Sequence, residues 1–257
     1  MKVTVLTENT ACGEVLQAEH GLSLYVETGT HKILFDMGQT DAFARNARAL
    51  GVDLAQVDIA VLSHGHYDHG GGLKSFLAIN ADAPVYIHKK AFGEYYNGTE
   101  KYIGLDKTLR DASRLVFTEG TLELAPGITL VDCAEEAWAF DPYGLNEKQG
   151  ETFFPDSFAH EQYLLIEEEG KRILLSGCSH RGIENIVRHF RTDVFFGGLH
   201  LNKVEDTGRL DEIARELLGC NTRYYTGHCT GEKQFAIMKQ TMGDYLQALS
   251  TGRKIEV

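Results

Sequence analysis

Four potential metal ligands fall within six residues of the N-terminal half. They are His64, His66, Asp68 and His69, and they follow an apolar run at 59–62 that is typical of a buried strand. Imidazole nitrogens and carboxylate oxygens are the usual ligands of zinc and its first-row neighbours. Because His64 and His66 are two apart in an extended segment, their side chains project to one side and are predicted to hold one ion. Asp68 and His69 are predicted to follow around a turn towards a second.

Glycines surround this ligand cluster. Gly65 lies inside it, and Gly70, Gly71 and Gly72 follow it directly. Residues without a β-carbon permit the sharp turn that the donors need in order to converge. The strand, ligands and glycines together predict a metal site at the end of a strand.

The composition limits the class of protein. The chain has 257 residues, of which 43% are hydrophobic and 24% charged, which is typical of a soluble globular protein. A net charge of −12 argues against a nucleic-acid backbone as a general partner. No apolar run predicts a membrane span or a signal peptide. The five cysteines are widely spread without a Cys-x-x-Cys pair, which fits a reducing compartment. We therefore expect a cytoplasmic protein that does not bind membranes.

Strand and helix patterns alternate along the chain, which predicts an α/β protein with layered sheets. Hairpins are predicted at 22–35 and 162–175, and helices at 41–50, 73–79 and 183–190. The second half repeats the layout of the first. Residues 92–123 and 134–160 are predicted to be irregular insertions, whose aromatic residues line a pocket, pack on the core or form a homodimer contact.

The pattern His64-x-His66-x-Asp68-His69 resembles the signature of the metallo-β-lactamase superfamily. Later segments at 176–180, 197–200 and 226–231 resemble one branch of it. That branch is related to the archaeal pterin-pathway synthase that makes ribofuranosylaminobenzene phosphate, and its members are often labelled dihydropteroate-synthase-related. The resemblance covers nearly the whole chain. It implies a single αββα sandwich over residues 1–257, with the metal site at the sheet edges between two pseudo-repeated halves.

The resemblance also implies roles for individual residues. His64 and His66 match the ligands of the first metal, and Asp68 and His69 match those of the second. His228 matches the last histidine of the superfamily and would complete the second site. Asp36, at the end of a predicted strand, would support the site from behind the ligands.

Two positions depart from the superfamily pattern. Most members have a bridging aspartate where this chain has Cys178, which would ligate or bridge as thiolate or would be a small buried residue. The third ligand of the first metal is either His180, which we favour, or His160. His200 has no counterpart among the usual ligands. It would contact substrate, give a proton to a leaving group or cap its strand, whereas His20, His31 and His189 are interpreted as ordinary histidines.

The expected chemistry is hydrolysis by a metal-activated water, with Asp68 orienting that water or accepting its proton and His200 as the second catalytic candidate. One or two divalent ions are expected, with zinc favoured over manganese and iron. The branch suggests a small anionic substrate, either a phosphoester or a cyclic phosphodiester. Alternatives are a lactone, thioester or amide hydrolase, a mononuclear iron oxidoreductase, and a non-enzymatic metal or ligand sensor.

Overall fold

The computed structural model describes residues 1–257 and contains three β-sheets with helices packed outside the larger two. In chain order, the strands are β1 (Lys2–Thr7), β2 (Ser23–Glu27), β3 (Lys32–Phe35), β4 (Ile59–Leu62), β5 (Val85–His88), β6 (Tyr95–Asn97), β7 (Lys101–Tyr102), β8 (Leu115–Thr118), β9 (Thr121–Ala125), β10 (Ile128–Asp132), β11 (Leu145–Gln149), β12 (Thr152–Pro155), β13 (Gln162–Glu168), β14 (Lys171–Leu175), β15 (Val194–Phe196), β16 (Arg223–Thr226), β17 (Leu246–Ala248) and β18 (Lys254–Glu256). The helices are α1 (Ala42–Leu50), α2 (Tyr67–Gly70), α3 (Leu73–Ile79), α4 (Ile183–Phe190), α5 (Thr207–Gly219) and α6 (Glu232–Met242). None of these helices is both long enough and apolar enough to cross a lipid bilayer.

The two large sheets share one plan. The first has the strand order β18-β1-β2-β3-β4-β5-β8, and the second has the order β17-β16-β15-β14-β13-β10-β9. In each, antiparallel strands lead into a parallel run, which starts at β3 in the first sheet and at β14 in the second. The carboxyl ends of parallel strands lie at a common edge, where α/β proteins usually bind their ligands.

Three apolar layers hold the sheets and helices together. The central layer lies between the two sheets and includes Phe35, Val61 and Phe196. The outer layers pack α1 and α3 on the first sheet and α4, α5 and α6 on the second. Helix α4 shows the reason, because its buried residues recur at the spacing of one helix face: Ile183, Ile186, Val187 and Phe190. The predicted αββα sandwich is confirmed, as are the predicted hairpins and helices.

The prediction of irregular structure at 92–123 and 134–160 is wrong in part. These residues contain several short strands, and four of them form a third sheet in the order β12-β11-β6-β7. The sequence gives little sign of them because β7 is exposed throughout and β11 has a single buried residue, so neither shows a hydrophobic alternation. Strand β8 instead extends the first large sheet beside β5.

Candidate metal centre

The ligand cluster lies where β4 ends and the chain turns into α2. Other polar residues follow β1, β3, β14, β15 and β16 directly, and they meet the cluster at the same edge of the sheets. Two glycines allow this approach. A β-carbon on Gly65 would lie 2.2 Å from the carbonyl oxygen of Ala91, and one on Gly177 would lie 2.2 Å from Oγ of Ser63. A larger residue at position 65 would therefore displace the ligand loop from Ala91, and one at position 177 would separate the two halves of the site.

The first group of converging donors contains His64, Cys178 and His180. The Nε2 atoms of His64 and His180 lie 3.3 Å apart. All three ligand atoms lie within 4.8 Å of one another, and all three residues are buried. Ligand atoms on one tetrahedral zinc ion lie about 3.4 Å apart when each is about 2.1 Å from the metal. This group therefore matches the spacing of a metal site.

The second group contains His69, Cys178 and His228. Nε2 of His69 lies 3.1 Å from Nε2 of His228 and 3.1 Å from Sγ of Cys178. Oδ2 of Asp68 lies 3.4 Å from Nε2 of His228, which adds a carboxylate to the group. Cys178 thus belongs to both groups, in the position that a bridging ligand would take.

Asp36 fixes the orientation of histidines in both groups. Its Oδ2 atom lies 2.7 Å from Nδ1 of His69, and it accepts a hydrogen bond of 2.7 Å from the hydroxyl of Ser63. The Ser63 oxygen lies 2.8 Å from Nδ1 of His64 and is free to accept from it. A proton held on Nδ1 leaves Nε2 of each ring unprotonated towards the other ligands. Asp36 therefore takes the supporting position that the superfamily resemblance implies.

Two residues that follow β1 hold His228 in place through its backbone and its ring. The sequence analysis identified neither of them. The carboxylate of Glu8 accepts a hydrogen bond from the backbone N–H of His228. The side-chain oxygen of Asn9 lies 3.2 Å from Nδ1 of His228. Strand β1 runs parallel to β3, so the rule that polar residues follow strand ends would have found them.

His160 and His66 both lie beside the first group, but their ring nitrogens have different partners. His160 accepts a hydrogen bond from the backbone N–H of Gly65 at 3.0 Å, and its Nε2 atom lies 3.2 Å from Asp156. Both of its ring nitrogens are therefore engaged, whereas His180 reaches His64 directly. Nε2 of His66 is buried without a hydrogen-bond partner, 4.0 Å from Asp156. Nε2 of His66 is therefore free to bind a metal ion.

Burial sets the charge of the histidines in and beside the first group. It lowers the pKa of His64 and of His180 well below the usual range, and it lowers that of His66 to about 3. Neutral imidazoles have a free lone pair for a metal ion. His228 differs: burial lowers its pKa, but the hydrogen bond with Asp68 and the nearby Cys229, Asp68 and Glu8 together outweigh burial and raise the pKa to about 9.

The comparison with protein families decides the assignment. The model described as the metallo-beta-lactamase superfamily matches residues 17–220, which include the ligand cluster, Cys178 and His180. The chain belongs to the metallo-β-lactamase superfamily. The matched residues end before His228. The structure shows that His228 nevertheless belongs to the same centre, because its Nε2 atom lies beside Nε2 of His69.

Relatives and solved structures agree with this membership. An uncharacterized protein of Methanocaldococcus jannaschii, MJ0448, is 30% identical over 93% of this chain and 94% of its own. The 7,8-dihydropterin-6-methyl-4-(beta-D-ribofuranosyl)-aminobenzene-5'-phosphate synthase of the same organism is 28% identical over 93% of this chain and 90% of its own. The crystal structure of Tm1679, described as a metal-dependent hydrolase of the beta-lactamase superfamily, superposes with a TM-score of 0.85 at 29% identity. It covers 100% of this chain and 99% of that chain. The predicted branch of the superfamily is thereby confirmed.

Within this superfamily fold, several site residues have strained backbones. Asp36, Ser179, His200 and His228 have positive φ angles of 59°, 61°, 52° and 48°. Residues other than glycine rarely adopt this conformation, and such residues concentrate at functional sites. All four directly follow strands or lie in the turns after them.

His20 also lies at the centre, although the sequence suggests an ordinary histidine. Its Nε2 atom lies 3.3 Å from Oδ2 of Asp68, and its ring centroid lies 4.6 Å from that of His228. His20 belongs to the loop between β1 and β2 rather than to a strand end, so the strand-end rule could not find it. Its side chain is half-exposed, unlike the donors behind it.

Two cavities open onto the donors. A cavity of about 140 Å³ is lined by His20, Asp68, Cys178, His228, Lys101 and Lys203. A larger cleft of about 680 Å³ includes Phe140, Tyr143, Arg188 and Arg209. His180 and His200 line both, and neither ring nitrogen of His200 has a hydrogen-bond partner.

Proposed function

We propose that this superfamily member is a metal-dependent hydrolase that acts on a phosphoester or cyclic phosphodiester of a small anionic molecule. The observation that carries the proposal is the pair of buried donor groups that share Cys178 beside a polar cavity. His64, His66, Cys178 and His180 would hold one divalent ion, and Asp68, His69, Cys178 and His228 would hold the other. When bound, such ions supply hydroxide near neutral pH and polarise the oxygen under attack.

The donor chemistry supports this loading. The donors include imidazole nitrogens whose pKa values burial keeps low, and Nε2 of His66 is buried without a hydrogen-bond partner. Thiolate and imidazole ligands suit zinc and iron, whereas a carboxylate also suits manganese. Zinc is the proposed metal, with manganese and iron as the alternatives to test.

Charges around the smaller cavity support an anionic substrate. Lys101 and Lys203 line it together with the donors, and the amine of Lys101 lies 5.3 Å from the ring centroid of Tyr67. Two ammonium groups in the cavity lining would attract a phosphate towards the centre. The name of the M. jannaschii synthase includes a 5'-phosphate, which supports the proposal of a phosphate-bearing substrate for the present protein.

The surroundings of Asp68 and His200 support the catalytic roles proposed for them. Asp68 lies between His20 and His228 at the cavity wall. Burial raises its pKa, but the hydrogen bonds with these two rings and the electrostatic interaction with His69 and His228 together outweigh burial and keep the pKa well below the usual range. An ionised carboxylate there would orient the attacking water and accept its proton. His200 lines both cavities and would contact the substrate through a free ring nitrogen.

The test is hydrolysis by metal-depleted protein after addition of zinc, manganese or iron. Bis(p-nitrophenyl) phosphate is the generic phosphodiester, and a lactone, a thioester and an amide serve as competing substrate classes. We expect turnover of the phosphodiester that a chelator abolishes and that Asp68→Asn lowers at least about a hundredfold. His189→Asn is the matched control, because His189 lies on α4, where its ring packs against Trp138 outside the centre.

Three outcomes would contradict the proposal. Turnover that resists the chelator would remove the metal from the reaction. Turnover of the lactone, thioester or amide alone would change the substrate class. Oxygen uptake with one bound iron and no hydrolysis would indicate an oxidoreductase.

A further inference from the structure

A third group of donor atoms lies beside the two described above. Sγ of Cys178, a ring nitrogen of His200 and Sγ of Cys229 all lie within 4.8 Å of one another. Cys178 and Cys229 are buried, and the Cys229 thiol lies 3.5 Å from the carbonyl oxygen of Cys178. The proposed two-ion centre uses neither Cys229 nor His200 as a ligand.

His200 is held in a costly state that this group would explain. Both of its ring nitrogens are buried without a hydrogen-bond partner, and its backbone has a φ of 52°. A buried polar atom without a partner lowers stability, and a left-handed backbone at a histidine adds to this cost. The turn after β15 therefore keeps the imidazole beside two thiols at the expense of stability.

The structure also provides room for an ion at this position. A β-carbon on Gly198 would lie 2.3 Å from Sγ of Cys229, so only glycine leaves space for the thiol there. All three donor residues line the cavity of about 140 Å³. Two sulfurs on one tetrahedral zinc ion lie about 3.8 Å apart. The donor atoms of this group lie within 4.8 Å of one another, so their spacing is compatible with such an ion.

We propose that Cys178, His200 and Cys229 form a further metal site, which takes a thiophilic divalent ion through two thiolates and one imidazole. Each thiol loses its proton to solvent as its sulfur–metal bond forms, so binding releases two protons and requires no oxidant. Three protein ligands leave a fourth position open to the cavity, as in catalytic zinc sites. Cys178 connects this site to the other two, and the second ring nitrogen of His200 stays free for a substrate.

Cadmium is the probe for this site, because thiolate ligands favour soft ions. X-ray absorption at the cadmium edge counts sulfur neighbours directly, without an activity assay. The measurement uses the full chain with Cys12→Ser and Cys220→Ser, which removes the exposed and the half-exposed thiol. At one equivalent of cadmium we expect two sulfur neighbours per ion, and one after the additional change Cys229→Ala. Cys133→Ala is the matched control, since Cys133 is buried at the end of β10, and it should leave the count at two.

One sulfur neighbour or none before the Cys229 substitution would overturn this site, and so would a count that Cys229→Ala leaves unchanged. If that variant does not fold, the spectrum of the protein with Cys229 decides alone. The hydrolase proposal is tested separately, because phosphodiester turnover with manganese does not depend on the cadmium result.

Discussion

Sγ of Cys178 lies 3.1 Å from Nε2 of His69, and the same sulfur belongs to the group that contains His64 and His180. The superfamily usually has a bridging aspartate here, and the thiol stands in its place. A thiolate is softer than a carboxylate and binds zinc or iron in preference to manganese. As a ligand, the residue that joins the two groups would therefore also bias the choice of metal.

The substitution Cys178→Asp should keep both ions and change which metal is preferred. A carboxylate can bridge as the thiolate does, but it favours harder ions, so we expect the ratio of zinc to manganese affinity to fall by about tenfold or more. Competition titration of metal-depleted protein measures that ratio. Cys220→Ser, a change directly after the last residue of α5, is the control. If Cys178→Ala binds both ions as tightly as the unchanged protein, Cys178 is only a small buried residue.

The substitution Asp36→Asn should weaken metal binding without removing a ligand. The amide can no longer accept the proton of His69 as a carboxylate does, so the free nitrogen of that ring loses its fixed direction. Partners behind metal ligands are typically worth about 10–100-fold in affinity. The control is Asp58→Asn, since Asp58 accepts a backbone hydrogen bond of 2.8 Å from Lys32 at a surface turn. Equal affinities for the two variants would contradict this role of Asp36.

His180 and His160 should differ when each is replaced by alanine. His180→Ala removes a donor that faces His64, and we expect about one ion per chain to be lost. His160→Ala removes the hydrogen bond to Gly65, and we expect weaker binding with unchanged stoichiometry. Elemental analysis after gel filtration separates the two results. The reverse pattern would make His160 the ligand.

The two groups should respond differently to pH. Because Asp68 and the other acidic neighbours outweigh burial and raise the pKa of His228 to about 9, its ring is protonated at neutral pH before metal binds. An ion at the second group must displace that proton, so its affinity should fall as the pH falls below about 9. Burial lowers the pKa of His66 to about 3, so that ring stays neutral and needs no deprotonation. Either ion would also displace the proton of the shared Cys178 thiol, so the measurement uses Cys178→Asp, whose carboxylate is already ionised. Calorimetry of that variant in buffers of different ionisation enthalpy should show greater proton release for the second group. Equal release from both groups would contradict this assignment.

The ligand cluster could be read from the sequence because its residues are local. His64, His66, Asp68 and His69 directly follow an apolar strand, and the structure keeps them at its end. The segments around Cys178, His200 and His228 show the same combination of strand and small polar turn. Strand ends thus identify much of the centre, because parallel strands bring their carboxyl ends to one edge.

Other parts depend on contacts between distant residues. His20 reaches Asp68 from the loop between β1 and β2, and no local pattern predicts how that loop folds back. The third sheet pairs β6 with β11, whose sequences are distant and mostly polar. The choice between His180 and His160 likewise follows from the turn after β14, where Glu161 accepts hydrogen bonds from the backbone of His180 and of Arg181. Such contacts carry no periodic signal along the chain.

The most direct test of the two-ion centre is elemental analysis of metal-depleted protein after loading with manganese and removal of the excess. Manganese disfavours the thiolate-rich site of Cys229 and suits the carboxylate and imidazole donors. We expect about two ions per chain, falling to about one in the folded double variant with Asp68→Ala and His69→Ala. A folded unchanged protein that retains about one ion or none, or a double variant with unchanged metal content, would contradict the account.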